Sequence, residues 1–248
     1  MSVLERPAVV PDVFARWFAN RGWAPRAHQL ELLSKAQAGR SVLLIAPTGG
    51  GKTLAGFLPS LVELREDRAG LHLSPRAGRG RRAEGVAAEG AFRQALNFAA
   101  PSPGADLRSL PPSPRTRGEG NGLHTLYISP LKALAVDIAR NLEAPVAEMG
   151  LPIRIETRTG DTPASKRQRQ RRSPPQILLT TPEQLALLLA SADAPYLFGT
   201  LKRVILDELH ALVTSKRGDL LSLGLARLFR LAPNLTSIGL SATVAEPD

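Results

Sequence analysis

A glycine-rich segment in the first quarter of the chain has the residue types needed to hold a phosphate group. Ala46–Thr53 reads Ala-Pro-Thr-Gly-Gly-Gly-Lys-Thr and lies between an apolar run and a helix-forming stretch. Consecutive glycines let backbone N–H groups converge on one point, and a following helix N-terminus adds a positive partial charge there. A lysine can reach the β- and γ-phosphates of a nucleotide, and a threonine hydroxyl can coordinate Mg²⁺. The predicted nucleotide contacts are Pro47, Thr48, Gly49, Gly50, Gly51, Lys52 and Thr53.

Two adjacent carboxylates follow a second apolar run, Val204–Leu206. Doubly wound sheets bind ligands at the carboxyl ends of their strands. Phosphoryl transfer needs a cation that bridges the phosphates and a group that orients the attacking water. We therefore predict that Asp207 and Thr53 are the magnesium ligands. We also predict that Glu208 is the catalytic base, and that Lys52 and Asp207 are the other two catalytic residues. Alone, the pair could be a solvated acidic turn; the glycine-rich segment upstream favours the catalytic interpretation.

A histidine two residues after Glu208 is a candidate for coupling. His210 could cap a helix or fill the core. Its spacing favours a residue that senses the γ-phosphate and connects it to Ser241-Ala242-Thr243. The predicted coupling residues are His210, Ser241 and Thr243.

Alternating strands and helices are predicted to position these residues in an α/β fold, a mostly parallel sheet with helices on both faces. The predicted strands are Ser41–Ala46, His124–Ser129, Ile153–Thr159, Ile177–Thr180, Val204–Asp207 and Thr236–Ser241. The predicted helices are Pro25–Gln37, Lys52–Leu64, one from Lys132 with a kink near Pro145, Pro182–Ala190 and Gly218–Leu231.

One stretch interrupts this pattern, from about Glu66 to Gly122, and it is rich in proline, glycine and arginine. Such a stretch inside a compact domain is typically disordered or inserted. The alternative is a basic arm that grips DNA. We favour an inert, disordered insert because no aromatic residues accompany its arginines. The predicted core is then 12–65 and 123–248, with an insert at 66–122, in a single domain spanning 1–248.

The composition narrows the class of protein. The formal net charge is +10 among 248 residues, which favours a polyanionic partner such as nucleic acid, although arginine-rich coding could also contribute. The absence of cysteine excludes disulfides and Cys-ligated zinc. The N-terminus has no signal-peptide core and no apolar run is long enough to span a bilayer, so we expect a soluble, cytoplasmic protein.

Taken in order, these motifs resemble those of superfamily-2 DEAD/DEAH-box helicases, within them the Lhr-like group, and most closely the bacterial ligase-associated DEXH-box DNA helicases. The resemblance covers nearly the whole chain outside 66–122. It implies a RecA-like P-loop NTPase domain and adenine contacts at Arg26 and Gln29, upstream of the P-loop. It also implies nucleic-acid contacts in Ser129–Leu134, Arg158–Thr162 and Thr180–Leu185, at Pro130, Lys132, Thr159, Gly160, Thr181, Pro182 and Glu183.

These contact motifs also have simpler interpretations. Lys132 and Thr181 open helices, where backbone N–H groups can hold phosphates without reading sequence. Lys132 could equally be a solvated first-turn lysine, and Thr181 with Pro182 an ordinary helix start. The basic run Lys166–Arg172 fits a phosphate grip and a solvated helix face equally well.

The resemblance implies ATP and Mg²⁺ as cofactors, DNA rather than RNA as the partner, and a DNA-repair role in a bacterial cytoplasm, with a DNA ligase and a nuclease as partners. It also implies a second RecA-like domain, absent here, that supplies an arginine finger. We therefore expect this chain alone to bind ATP and DNA weakly and to be poorly active. A binding module without turnover is the alternative. A transporter ATPase or a kinase is disfavoured by the motifs present.

Overall fold

Six strands alternate with helices in the computed structural model, which describes residues 10–73, 122–213 and 215–242. The strands are β1 (Val42–Ile45), β2 (Thr125–Ile128), β3 (Ile155–Arg158), β4 (Ile177–Thr180), β5 (Arg203–Leu206) and β6 (Thr236–Ser241). The helices are α1 (Asp12–Asn20), α2 (Ala27–Gln37), α3 (Lys52–Leu73), α4 (Lys132–Glu148), α5 (Ala164–Arg172), α6 (Pro182–Ala190), α7 (Ala194–Phe198), α8 (Leu209–Val213) and α9 (Lys216–Leu231).

All six strands are parallel, in the order β1-β6-β5-β2-β4-β3. The prediction of a mostly parallel sheet is confirmed, and among the described strands the sheet is entirely parallel. Parallel strands buried on both faces have continuous apolar sequences. This pattern is clearest in β2, β4 and β5, whose residues are all buried. Their carboxyl ends all lie at one edge of the sheet, called here the carboxyl edge.

Two apolar clusters cover the two faces of the sheet. The first contains Phe57 and Leu61 of α3 packed with Tyr127 and Ile205 of the strands. The second, on the other face, contains residues of α6, α7 and α9 packed with Leu126, Ile128, Val204 and Leu206. Because side chains alternate along a strand, the central strands β2, β4 and β5 contribute to both clusters. The predicted helices on both faces are confirmed.

Several predicted boundaries were wrong. The first predicted helix starts at Ala27 rather than Pro25, because Arg26 has an extended backbone. The third strand is shorter at both ends than Ile153–Thr159. Helix α4 runs from Lys132 to Glu148 with Pro145 inside it, and the kink near Pro145 stays a prediction. Helix α3 extends to Leu73, nine residues past Leu64, so the predicted insert overlaps a helix. From residue 74 to 121 the predicted insert lies outside the described residues.

Helices α1, α7 and α8 were not predicted. In α1 the buried residues Phe14, Trp17 and Phe18 have the spacing of an amphipathic helix, so a sequence signal existed. The other two have five residues each, too few for a periodic pattern to stand out. None of the described helices combines the length and apolarity that a bilayer crossing requires.

Candidate functional site: a P-loop and a row of contact loops at one edge

The glycine-rich segment forms a turn between β1 and α3, as predicted, with Lys52 as the first residue of the helix. Gly51 has a φ of 77°, and a Cβ atom there would lie 2.9 Å from Gln29 Nε2. The positive φ favours glycine, and a Cβ at this position would displace the amide of Gln29. The Lys52 ammonium is nearly buried and donates to the carbonyl oxygens of Ala46 at 2.7 Å and Pro47 at 3.1 Å. The cation is therefore held inside the turn, among backbone groups that can surround a phosphate.

The upstream motif lies against this turn. Gln29 is buried in α2, and its Nε2 donates to Gly51 O at 3.3 Å while its Oε1 accepts from the Arg26 backbone N–H at 2.9 Å. One guanidinium nitrogen of Arg26 lies 3.4 Å from Gly49 O. The structure thus brings the two predicted adenine contacts, Arg26 and Gln29, together with the predicted phosphate contacts.

The acidic pair follows β5 at the carboxyl edge. Asp207 is 5% exposed, and the hydroxyl of Tyr127 donates to its Oδ2. Glu208 has a φ of 48°, which is uncommon for a residue with a side chain and costs on the order of 1 kcal/mol. The Asp207 backbone N–H donates to Ile128 O at 2.9 Å, so the pair begins where β5 separates from β2.

Helix α3 connects the two predicted catalytic elements. Strands β1 and β5 flank β6, so their ends are about 10 Å apart. Gly56 of α3 packs so closely on the sheet that a Cβ there would lie 3.4 Å from Ile205 Cγ2. Lys52 lies one helical turn, about 6 Å, before Gly56, and Asp207 lies two residues, about 7 Å, beyond Ile205 on the same face of the strand. Lys52 and Asp207 therefore share a face and an edge of the sheet.

His210 contacts Ser241 of the predicted coupling motif and also Glu208, which was not predicted as its partner. Its Nδ1 lies 3.0 Å from Ser241 Oγ, and its Nε2 lies 3.4 Å from Glu208 Oε2. Ser241 ends β6 and its carbonyl accepts a 3.2 Å hydrogen bond from the Ala46 N–H, which begins the P-loop. One imidazole thus joins the acidic pair to the strand beside the P-loop. The third coupling residue, Thr243, lies outside the described residues.

The predicted nucleic-acid contacts follow β2, β3 and β4, the other three strands of the sheet. Lys132 begins α4, and its ammonium lies 2.8 Å from Asp161 Oδ2 in the turn after β3. In that turn the Thr159 N–H donates to Thr162 Oγ1 at 2.9 Å and Gly160 is exposed. Pro130, Thr181 and Pro182 are buried, with Pro182 in the first turn of α6. The three segments form a continuous row along the edge.

The two groups divide the sheet. We call β1, β6 and β5 the P-loop half, because their ends carry Lys52, Asp207 and Ser241. We call β2, β4 and β3 the distal half, because their ends carry the predicted nucleic-acid contacts. The boundary between β5 and β2 is called the seam.

Glu183 has a partner that the sequence did not indicate. Arg217 of α9 binds both of its carboxylate oxygens, one at 2.5 Å and the other at 3.1 Å. Partial burial by itself would raise the pKa of Glu183, but the hydrogen bonds from Arg217 and Thr181 outweigh burial and lower it. Its side chain is therefore a charged carboxylate held toward α9.

The basic run that sequence left open is helix α5. Arg167 donates from Nε to Thr162 O at 2.7 Å and from a terminal nitrogen to Gly160 O. Arg169 lies 3.0 Å from Glu156, and Arg171 lies 3.7 Å from Asp193. These three arginines have structural partners, which favours the interpretation as a helix face that supports the turn after β3.

A buried ionic network at the amino end of the seam was missed. Arg203 of β5 is 2% exposed; it donates to Ser60 Oγ at 3.2 Å and binds both oxygens of Glu63. His124 Nε2 lies 3.2 Å from Glu63 Oε2. Burial alone would raise the pKa of Glu63, but hydrogen bonds from His124 and Arg203 lower it to about 2. Burial lowers the pKa of His124, more than Glu63 raises it.

Tyr127 was also missed. Tyr127 lies between the apolar residues Leu126 and Ile128 in a predicted buried strand. Because a buried tyrosine hydroxyl requires a hydrogen-bond partner, this position could have indicated a polar contact. Burial, followed by the charge of Asp207, raises the pKa of Tyr127 far above its ordinary value. The hydroxyl therefore stays protonated and acts as a donor to Asp207.

A parallel RecA-like sheet with a P-loop and an acidic pair on one edge defines the class of P-loop nucleotide-binding domains. The family pattern described as "DEAD/DEAH box helicase" matches residues 26–248. The chain therefore belongs to the DEAD/DEAH box helicase family, whose members are ATP-dependent enzymes.

Several similar proteins are Lhr-type helicases. The chain is 36% identical to the Lhr helicase/uracil glycosylase of Escherichia coli strain K12, over 96% of this chain and 14% of that protein. It is 34% identical to the ATP-dependent helicase Lhr-Core of Methanocaldococcus jannaschii, over 98% of this chain and 24% of that protein. The structure of Mycobacterium smegmatis helicase Lhr bound to ssDNA and AMP-PNP matches with a TM-score of 0.68 and 34% identity, over 95% of this chain and 25% of that one. The chain thus spans a quarter or less of the length of these relatives.

Proposed function

We propose that this chain is the ATP- and DNA-binding motor domain of a DNA helicase or translocase that acts in DNA repair. One observation carries the proposal: the P-loop, the acidic pair and all three contact loops lie along a single edge of the sheet. ATP hydrolysis in the P-loop half can then be transmitted to a nucleic-acid strand lying across the distal half.

In the P-loop half, Lys52 binds the β- and γ-phosphates of ATP and the turn from Pro47 to Gly51 surrounds them with N–H groups. Glu208 orients and polarises the attacking water, and its unusual backbone conformation is consistent with a side chain aimed for that task. Arg26 and Gln29 contact the adenine ring. His210 connects Glu208 to Ser241, and in the proposal this connection reports the state of the γ-phosphate to β6.

The oxygen donors of the site fit magnesium. Asp207 offers a buried carboxylate and Thr53 a hydroxyl at the start of α3. Among the described residues there is no group of three or more histidines or carboxylates that could enclose a metal. Magnesium is commonly held by one or two protein oxygens together with substrate phosphates, which matches this set. Bound there, the cation would neutralise charge that develops on the phosphates.

In the distal half, Lys132, Thr159, Gly160, Thr181 and the adjacent prolines hold the phosphate backbone of one strand. Such contacts do not read sequence. The choice of DNA over RNA is supported by the relative whose structure is described with ssDNA. The repair role is supported by the relative whose name includes uracil glycosylase, since glycosylases act on bases. A ligase and a nuclease as partners are supported only by the resemblance of the motifs.

We further propose that the chain alone turns ATP over slowly. Helicases of this kind are similar to one another in placing ATP between two RecA-like domains, and an arginine finger contributes about 10³- to 10⁵-fold in rate where it has been measured. The chain matches at most a quarter of the relatives named above.

Binding of a fluorescent ATP analogue to the purified chain, with and without single-stranded DNA, tests the proposal. Lys52→Ala should weaken binding by about 10- to 100-fold, because hydrogen bonds to charged groups contribute about 1.5–3 kcal/mol. Lys202→Ala, which removes an exposed lysine at the opposite edge of the sheet, is the matched control and should leave the affinity unchanged. Equal affinity of Lys52→Ala and wild type would contradict the ATP site.

A further inference from the structure

Tyr127 is the one residue of β2 whose side chain reaches across the seam to the acidic pair. It is fully buried, and its hydroxyl donates to Asp207 Oδ2. Its ring stacks on Phe57 of α3, with centroids 5.2 Å apart and planes 25° apart. The ring is fixed by packing, so the hydroxyl is held in one place.

Strand register explains why this contact forms. Tyr127 pairs with Ile205 in the parallel ladder, and Asp207, which directly follows β5, lies two residues beyond Ile205 on the same face. The phenol of Tyr127 reaches that position, whereas its neighbours Leu126 and Ile128 lie on the other face of the sheet. Phenylalanine would fill the same apolar space against Phe57. The hydroxyl therefore serves the carboxylate rather than the packing.

We infer that Tyr127 is a positioning residue that orients the Asp207 carboxylate for magnesium by occupying one oxygen and leaving the other for the cation. The inference rests on the proposed function, since it gives Asp207 its role as a magnesium ligand. Tyr127 is fully buried and acts through Asp207 rather than on the nucleotide or the cation. Groups that hydrogen-bond a metal ligand fix its orientation, and their removal commonly weakens metal affinity by about 10- to 100-fold.

The test compares Tyr127→Phe with Tyr196→Phe in the full chain. Tyr196 is the other of the two tyrosines, and its hydroxyl donates to Arg172 O at the surface, so both variants lose one hydroxyl. Binding of the fluorescent ATP analogue is measured across a Mg²⁺ titration and again in excess chelator. Tyr127→Phe should raise the Mg²⁺ midpoint about 10-fold or more while binding in chelator stays at the wild-type level. Tyr196→Phe should change neither.

An unchanged Mg²⁺ midpoint in Tyr127→Phe would overturn the inference, and so would an equal loss of binding with and without Mg²⁺. If Lys52→Ala also binds normally, the proposed ATP site fails as well; if Lys52→Ala loses binding, only the role of Tyr127 fails. If Tyr127→Phe does not fold, a second measurement tests the inference. In Tyr196→Phe the sole tyrosine is Tyr127, and its ultraviolet resonance Raman bands should shift when Mg²⁺ is added to the nucleotide complex. Unshifted bands would overturn the inference.

Discussion

The P-loop half and the distal half of the sheet differ in the exposure of the lysine that begins a helix at the carboxyl edge of each. Lys52 is 9% exposed and is surrounded by backbone carbonyls, whereas the side chain of Lys132 is 62% exposed and pairs with an aspartate that is 74% exposed. A charge in a buried site interacts strongly and in one geometry, while exposed charges interact weakly and are screened by salt. In the proposed function, the same edge combines a rigid nucleotide site with an exposed surface that holds a nucleic-acid strand.

The seam shows what keeps two such different halves in register. At the carboxyl edge it is crossed by the hydrogen bond from Tyr127 to Asp207. At the amino edge, Glu63 of α3 binds both Arg203 of β5 and His124, which immediately precedes β2. Polar contacts at both ends of an otherwise apolar interface fix one alignment of the strands, because a shifted strand would leave buried charges without partners.

The largest effect is expected from breaking the seam at its amino edge. Arg203→Ala should lower the free energy of unfolding by about 3–5 kcal/mol, because it leaves Glu63 partly buried without its main cation. Chemical denaturation measures this loss. Arg230→Ala, which removes an exposed arginine of α9, is the control and should change stability by less than about 0.5 kcal/mol. Similar losses in both variants would show that the network does not hold the halves together.

Acid should weaken the seam in two stages. In the folded chain the pKa of His124 is below its ordinary value of 6.5. Below pH 6.5 the unfolded chain therefore binds a proton at His124 more readily than the folded chain does, and the free energy of unfolding falls. The pKa of Glu63 drops from 4.5 to about 2, so a second loss begins near pH 4.5 and continues toward pH 2. Unfolding free energies measured from pH 8 to 3 test both stages. If His124→Gln shows the same decline between pH 7 and 5 as wild type, His124 is not responsible for the first stage.

The smallest effect is expected on the binding of single-stranded DNA, and it tests whether the distal half contacts the phosphate backbone. Lys132→Ala should weaken binding of single-stranded DNA a few-fold and reduce the magnitude of the log–log salt slope by about 1, as expected for the loss of one phosphate contact. Lys202→Ala is a matched control, because Lys202 also pairs with an aspartate, Asp67, at 2.9 Å, but at the amino edge. A slope unchanged in Lys132→Ala, or reduced equally in both, would remove Lys132 from the grip.

The sequence was sufficient for the strands and for the order of the motifs. Continuous apolar runs such as Ile177–Thr180 identify buried parallel strands, and punctuation by glycine and proline locates the loops between them. Because parallel strands end at one edge, the shared location of the P-loop and Asp207 also followed. The end of α3 could not be predicted, since Glu66–Leu73 has a mixed composition with a glycine in the middle.

Side-chain partners were the part that sequence could not supply. Arg203 and Glu63 are 140 positions apart, and nothing local distinguishes either from a solvated residue. Glu183 with Arg217, and Lys132 with Asp161, are likewise set by which helix lies beside which turn. The order of the strands in the sheet determines which of these residues meet. The neighbouring positions of β2 and β5 result from tertiary packing and cannot be inferred from their order along the chain.

The division of one edge into two binding regions can be tested directly by titrating the isotope-labelled chain with a magnesium–ATP analogue and, separately, with single-stranded DNA while following backbone amide chemical shifts. The account predicts that the nucleotide perturbs Gly49–Thr53, Asp207 and Ser241, and that DNA perturbs Leu131, Gly160 and Thr181. Perturbation of the same half by both ligands, or of the amino edge by either one, would contradict it.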